Sequence, residues 1–388
     1  MPYTVILKKG EEKRILAGHS WVYANEVQRI EGKDKNGALA EVRAADGRFV
    51  GKGYINHLSK ILVRVFLRGG EEDGEALYAE RIARADALRQ RLFADTCYRA
   101  VFGEADGLPA LIVDRYGDVL VTEFLSLGVE KREEWIVNAL VSHFAPRGIY
   151  LRGDAAVRQK EGLPLENRVL WGEVPDRTEI EENGIRLLAD IRRGQKTGYF
   201  LDQKENRLAA RRYCRGGQVL DCFCNSGGFS LNAATCAERV TAVDISQHAL
   251  GQVRENAALN GFANIDTVCA DAFDFLRAER AAGKKYDCVI LDPPAFCKSA
   301  AEVKDAYRGY KDVNISAMKL VKEGGFLISC SCSHYMALPL FTKMLTESAR
   351  ECGRRAKLLE VRVQSPDHPA LLAAEETSYL KACFLQIE

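Results

Sequence analysis

Over residues 3–68 apolar and polar positions alternate in short runs broken by turn residues, the pattern of half-buried strands. Ala40-Glu41-Val42-Arg43 and Phe49-Val50-Gly51-Lys52-Gly53-Tyr54 flank Asp46-Gly47, which predicts a hairpin, and Lys60-Ile61-Leu62-Val63-Arg64-Val65-Phe66 alternates as a further strand. A small β barrel or sandwich is expected here. Gly69-Gly70-Glu71-Glu72-Asp73-Gly74 reads as a polar linker. The period then lengthens: Leu77, Ile82, Ala85, Leu88 and Leu92 form one stripe of a helix over 76–95, and a second amphipathic helix is expected over about 129–144. Between them, 110–114 and 119–124 flank a turn at 115–118. This middle segment is a small α+β unit without a catalytic pattern, and a hairpin over Arg177–Leu188, turning at Glu182-Asn183-Gly184, leads out of it.

From about residue 190 strands and helices alternate. Gln218–Asp221, Val240–Asp244, Asp266–Cys269, Tyr286–Asp292 and Gly325–Cys330 read as strands, the last two as continuous apolar runs of the kind buried in a parallel sheet. Gly228–Glu238 reads as a helix, and Ser246 caps another that ends at Asn260-Gly261. Two final strand-like runs, Lys357–Val363 and Tyr379–Ile387, have no helix pattern between them and are expected to close the sheet as an antiparallel pair. The prediction is a multidomain chain: a β barrel over 1–70, an α+β domain over 71–176, and a doubly wound, Rossmann-like α/β domain with its leading hairpin over 177–388.

A length of 388 residues agrees with two or three domains. No apolar run approaches the ~18 residues of a membrane span, and no basic-then-apolar segment opens the chain, so a cytoplasmic protein without membrane contact is expected. Eleven of the 12 cysteines lie at or beyond position 214, and reduced thiols are the simplest reading. Cys222 with Cys224 and Cys330 with Cys332 form Cys-x-Cys pairs. They fall in or just after strands rather than on turns with structural zinc spacing, so no metal is expected. Net charge is near zero, yet residues 1–68 hold 13 Lys or Arg against 7 Asp or Glu, and residues 191–215 hold 8 against 2. Such stretches either contact phosphates or are simply solvated faces.

Asp221-Cys222-Phe223-Cys224-Asn225-Ser226-Gly227-Gly228-Phe229 joins the first strand of the α/β region to its first helix. Its glycines let a ligand approach the backbone, but the spacing is not that of a dinucleotide fingerprint. An acidic residue at the strand end would repel a pyrophosphate and accept from an ammonium group, which fits S-adenosylmethionine. Asp244, followed by Ile245, ends the next strand, where a carboxylate can bind both ribose hydroxyls; this suits NAD equally. Asp271-Ala272 ends a third and would reach the adenine amino group. Singly, each aspartate reads as well as a helix cap; the series at successive strand ends points to a nucleoside carrying an amino acid. Candidate cofactor contacts are therefore Asp221, Cys222, Phe223, Gly227, Asp244, Ile245, Asp271, Ala272 and Asp292.

Leu291-Asp292-Pro293-Pro294 ends the fourth strand, and two prolines there fix a rigid extended backbone. A bare strand terminator looks the same, but this position beside a methyl donor suits recognition of a flipped-out base, with Pro293, Pro294, Phe296 and Lys298 as substrate contacts. Carbon 5 of cytosine has no lone pair. A thiolate adding to carbon 6 makes carbon 5 nucleophilic, and a carboxyl group on the N3 and N4 edge stabilises the charge that develops. Cys332 and Asp292 are the candidates for these roles. Cys330 and Cys332 also fit as small core hydrophobes, and Cys297 is either a second thiol or a surface loop residue.

Gly18-His19-Ser20-Trp21-Val22-Tyr23-Ala24-Asn25-Glu26, Lys196-Thr197-Gly198-Tyr199-Phe200-Leu201-Asp202-Gln203, Arg308-Gly309-Tyr310-Lys311-Asp312-Val313-Asn314, Asp367-His368-Pro369 and Ser331-Cys332-Ser333 together resemble the bacterial 23S rRNA large subunit methyltransferase I family over almost the whole chain. The resemblance implies an N-terminal PUA domain that binds RNA, a central α+β domain and a class I S-adenosylmethionine-dependent domain making 5-methylcytosine. It implies Tyr199, Phe200 and Asp202 near the cofactor and Cys332 as nucleophile. The sequence departs from related patterns at Ala295, where a relative carries lysine. It also lacks the second cysteine that many RNA cytosine methyltransferases place directly after the proline, so release would use Cys297 or water. A sister group methylates guanine N7 without a thiol, and a non-catalytic RNA-binding protein or a DNA-modifying enzyme would keep the same fold. RNA, 23S rRNA in particular, is the expected partner; whether the chain acts as a monomer or a homodimer is left open.

Overall fold

The computed structural model describes residues 3–297 and 299–388. The chain folds into two units: the first is the chain up to Ile180 with Ala189–Leu201 and Pro366–Thr377, and the second is Glu181–Leu188 with Asp202–Ser365 and Ser378–Glu388.

The first unit holds two sheets. Strands Tyr3–Leu7, Trp21–Tyr23, Val27–Glu31, Leu39–Arg43, Phe49–Ile55 and Ile61–Leu67 form a six-stranded sheet, with the predicted hairpin paired antiparallel about Gly47. Its inward positions, among them Val5, Val22, Val42, Val63 and Val65, make a small apolar core. Five strands between Cys97 and Gly172 form the second sheet, packed by the helix Glu75–Leu92. The single helix expected over 129–144 is broken into Leu127–Glu130 and Glu133–Phe144. At the break the Arg132 guanidinium donates to the carbonyls of Gly37 and Gly128 and to Asp73. The hairpin Arg177–Glu182 and Ile185–Asp190 starts in the first unit, turns within the second and returns to the first at Ala189; the chain crosses into the second unit for good at Asp202 and leaves it again only for Pro366–Thr377.

The second unit is built on a seven-stranded sheet: β1 (Gln218–Cys222), β2 (Arg239–Asp244), β3 (Ile265–Cys269), β4 (Tyr286–Leu291), β5 (Val321–Ser331), β6 (Ala356–Arg362) and β7 (Lys381–Ile387). Their order across the sheet is β3-β2-β1-β4-β5-β7-β6. The first five are parallel, and β7 runs antiparallel between β5 and β6, so the two C-terminal runs do close the sheet. Among the described residues six α-helices accompany it: α1 (Lys204–Cys214), α2 (Gly228–Ala234), α3 (Gln247–Leu259), α4 (Ala272–Ala281), α5 (Val303–Leu320) and α6 (Leu338–Glu351). The α2 helix is shorter than its predicted span to Glu238.

Strand residues alternate between two cores, which is why the sequence shows unbroken apolar runs. Val289, Leu291 and Leu327 meet α5 and α6, whereas Cys288, Ile290, Ile328 and Cys330 meet α1 and α2. Because β1 to β5 are parallel, their C-terminal ends lie along one edge of the sheet, where open α/β folds place ligands. No helix among the described residues is long and apolar enough to cross a membrane.

Candidate active site

The side chain of Asp221 turns toward α2 and is fully buried. Its Oδ2 accepts from Ser230 Oγ at 2.6 Å, while its Oδ1 has no hydrogen-bond partner among the described residues. Burial, together with the neighbouring Asp292 and Asp244 carboxylates, pushes the carboxyl group up to about 7, against the bond from Ser230. A buried acceptor left open in this way is costly unless a donor arrives, and an ammonium group supplies both the hydrogen bond and the counter-charge. Phe223 and Asn225 adopt left-handed backbone conformations in the loop that follows. At Gly227, φ is +87° and a Cβ would stand 3.0 Å from Val253 Cγ2, so only glycine fits without strain.

At the end of β2, Asp244 accepts from the backbone N–H of Asn225 on Oδ2 and of Ser246 on Oδ1, each at 2.9 Å. These bonds hold the carboxylate still and leave lone pairs for a vicinal diol. The adjoining Ile245 is 72% exposed, an apolar side chain without a core to enter, suited to the face of a purine. Asp271 caps α4: its Oδ1 accepts from the N–H groups of Phe273 and Asp274, the helix-cap role weighed for it from the sequence. Cys222 and Ala272 are buried in the α5-side core, which leaves their backbone, not their side chains, to meet a ligand. The residues at the edge thus fit S-adenosylmethionine: an open buried carboxylate for its ammonium, an anchored carboxylate for its ribose and an exposed apolar face for its base.

Asp292 and Cys332, forty positions apart, meet at the neighbouring ends of β4 and β5. Cys332 Sγ lies 4.0 Å from the carbonyl oxygen of Pro293 and is half-buried. Gln203, which the sequence pattern did not assign to the site, donates from Nε2 to Asp292 Oδ1 at 2.9 Å, and its own Oε1 accepts from Asn206 at 2.6 Å. The flanking serines have a separate use. Ser329 Oγ donates to Asn314 Oδ1, Ser331 Oγ donates to Tyr310 OH at 3.0 Å, and Ser333 Oγ is 2.9 Å from the same phenol. Burial pushes Tyr310 up to about 12, so its hydroxyl keeps its proton. The serines face α5, and Cys332 emerges on the opposite side of the pleat, the side of Gln203 and Asp292.

Cys330 is fully buried among Ala382, Phe384 and Ile290, and desolvation holds its thiol well above the ordinary range. Cys297 is not the surface residue that the loop suggested: it is buried, its Sγ donates to Ser299 O at 3.1 Å, and burial raises it also. Pro293 is buried and Pro294 exposed. The Phe296 ring packs 4.7 Å from Tyr310 and beside Phe223 and Phe273, an aromatic group that walls the crevice. Lys298 lies outside the described residues.

The Lys196–Gln203 motif is divided between the units. Thr197, on the first-unit side, donates to Asp114; Gly198 has φ +129°, with a Cβ position 2.9 Å from Asp190 O; and the Tyr199 carbonyl accepts from Tyr116 OH. Phe200 carries the Lys196 ammonium over its ring. In the second unit, Asp202 Oδ2 accepts from Tyr379 OH at 2.7 Å and its carbonyl from Ser365 N–H, so it ties down the C-terminal segment. The basic stretch 191–215 is divided: Arg207 is buried against Glu182 at 2.6 Å and Arg211 bonds Asn232 and Asn183 O, whereas Arg192, Arg193, Lys196, Arg212 and Arg215 are exposed.

A family profile for a PUA-like domain matches residues 5–68, and one for S-adenosylmethionine-dependent methyltransferase matches residues 145–385. A ribosomal RNA large subunit methyltransferase I from Shewanella amazonensis is 42% identical over 100% of both chains, one from Aeromonas hydrophila 41% identical over 98% of each, and one from Escherichia coli O157:H7 38% identical over 98% of each. Among solved structures, a candidate SAM-dependent methyltransferase from Streptococcus mutans superimposes with a TM-score of 0.84 at 21% identity, and a candidate methyltransferase complexed with SAH with 0.85 at 20%, each over 100% of both chains. The latter two show the shared fold. On these matches the chain belongs to the ribosomal RNA large subunit methyltransferase I family, S-adenosylmethionine-dependent methyltransferases with an N-terminal PUA-like domain.

Proposed function

We propose that the protein methylates carbon 5 of a cytosine in 23S rRNA, acting in the cytoplasm through a thiolate of Cys332. The observation that carries this reading is the placement of Cys332 Sγ 4.0 Å from the Pro293 carbonyl, beside Asp292 and at the same sheet edge as Asp221 and Asp244. Methylation of a base nitrogen has no need of a thiol there.

Bound at that edge, S-adenosylmethionine supplies an electrophilic methyl group. Asp221 would hold its ammonium, Asp244 its ribose, and Ile245 and the Asp271-Ala272 backbone its base, with Phe223 and Gly227 shaping the loop. Tyr199, Phe200 and Asp202 stay as proposed cofactor contacts on the strength of the motif alone. Cys332 Sγ adds to carbon 6 of the cytosine, and the displaced π electrons make carbon 5 the nucleophile that takes the methyl group. Asp292, oriented by Gln203, meets the N3 and N4 edge, and Pro293, Pro294 and Phe296 border the base. Loss of the carbon 5 proton to a base then expels the Cys332 thiolate and restores the ring. Cys297 does not suit the release step, since it is buried and bonded to Ser299.

The test is incubation with 23S rRNA and labelled S-adenosylmethionine, followed by nucleoside mass spectrometry. The expected product is 5-methylcytidine. RNA carrying 5-fluorocytidine at the target should trap a covalent complex through Cys332, because fluorine cannot leave as a proton does; 7-methylguanosine as the product would refute the thiol mechanism.

A further inference from the structure

We propose that the protonated side chain of Lys381 is the counter-charge that keeps Cys332 available as a thiolate, making Lys381 a positioning residue for methyl transfer. This rests on the reading of Cys332 as nucleophile given above.

Lys381 opens β7 directly opposite Ser331, so it sits beside the turn that carries Cys332. It is 7% exposed. Its Nζ donates to the carbonyl of Ser333 at 2.6 Å and to that of Tyr379 at 2.9 Å, two neutral acceptors that leave its charge uncompensated. Among the described residues no carboxylate pairs with it. Burying a cation without an anion costs several kcal/mol, and such groups are retained where an anion is present during function. The titratable groups whose charge reaches Lys381 are the thiols of Cys332 and Cys383. Cys383 lies in the fully buried part of its own strand, and desolvation pushes its thiol up to about 11. Only Cys332 opens toward the crevice. Asp292, on the β4 side, works in the opposite direction: its carboxylate raises the neighbouring Cys330, and a thiolate at 332 would feel the same repulsion. A cation held by the Ser333 carbonyl offsets it.

Burial lowers the Lys381 ammonium to about 8, which leaves it mostly charged at neutral pH. The thiol proton passes to solvent before attack, and Lys381 keeps its own throughout. The bond to the Ser333 carbonyl also fixes the backbone directly after the nucleophile, so one side chain sets both its charge and its position.

The test follows the pH dependence of Cys332 alkylation by iodoacetamide in the full chain, resolved peptide by peptide with mass spectrometry. In the wild type the midpoint is expected below the ~8.5 of a free cysteine. Lys381→Met should move it up by about one unit, which is about tenfold less labelling at pH 7, and should shift the kcat profile to higher pH with KM for RNA unchanged. Lys381→Arg should keep the low midpoint. A wild-type midpoint at or above the free value overturns the proposal without any variant, and so does a folded Lys381→Met protein that loses activity with its midpoint unmoved. Cys332→Ala distinguishes the two layers: full methylation by that variant overturns the nucleophile reading and this inference together, whereas an inactive Cys332→Ala beside an unmoved Lys381→Met midpoint overturns this inference alone.

Discussion

Replacing Asp221 by Asn tests the cofactor site through stability as well as binding. The wild-type carboxyl is fully buried with one oxygen unpartnered, and it releases its proton at about 7 instead of the ordinary 3.8. At about 1.4 kcal/mol per unit, carrying the charge in the folded protein without a ligand costs about 4 kcal/mol. The folded state keeps this proton while the unfolded chain gives it up, so stability falls as pH rises from about 4 to about 7 and is level beyond. Roughly half of the loss, about 2 kcal/mol, develops between pH 5.5 and 7. Asn keeps the shape and cannot ionise. In urea melts of ligand-free protein, Asp221→Asn is therefore expected to gain about 2 kcal/mol on the wild type between pH 5.5 and 8, other titrating groups contributing equally to both. The same variant should bind S-adenosylmethionine at least tenfold more weakly by calorimetry, and the ligand's stabilising effect on the wild type should be larger at pH 8 than at pH 5.5. An unchanged stability difference across that range, or wild-type affinity in the variant, would refute the assignment of Asp221 to an ammonium group.

Three further outcomes follow from the packing. Gln203→Leu removes the donor that orients Asp292, and kcat should fall roughly ten- to a hundredfold with S-adenosylmethionine affinity unchanged, as read by single-turnover methylation. Tyr310→Phe deletes the phenol shared by Ser331 and Ser333 and should cost about 1–3 kcal/mol in urea unfolding; a neutral result would show that the serines are held otherwise. Arg207→Met takes the guanidinium from the buried Glu182 carboxylate and should cost about 3–5 kcal/mol in the same measurement.

What the sequence shows plainly is what depends on neighbours along the chain. An apolar run ending in an acidic residue announces a buried parallel strand and its outgoing loop, so β1, β2 and β4 and their aspartates are readable directly. Face and register are less so. The basic run 191–215 looks like surface charge when residues are counted, but Lys204, Arg207 and Arg211 are spaced three and four apart on α1, which puts them on one inward side of a helix. Tyr310 and Asn314 carry the same signal, a helical pair of hydrogen-bonding residues in a buried stripe, and their partners are serines that neither local pattern could name. Nothing local singles out Lys381 within the run Tyr379–Ile387; that it is buried depends on β7 inserting between β5 and β6, a choice of sheet order with no local signature.

The parity of β5 decides which side chain reaches the crevice. In the observed pairing Leu291 stands opposite Ser329, which brings the residues after β4 level with the Cys330–Cys332 end of β5. A slip of one residue would turn Cys332 toward α5 and bring Cys330 or a serine to the crevice, because every side chain changes face together. A strand with small, similar residues at five successive positions resists such a slip poorly through apolar packing alone, since Ser and Cys differ little in volume. The hydroxyls resist it instead: Asn314 and Tyr310 satisfy Ser329, Ser331 and Ser333 in one register only, and in any other three buried hydroxyls would lose their partners, at about 1–3 kcal/mol each. The serines around Cys332 thus act by fixing which side of the sheet the thiol faces, and the proposed methyl-transfer site depends on a network on the far face of its own strand.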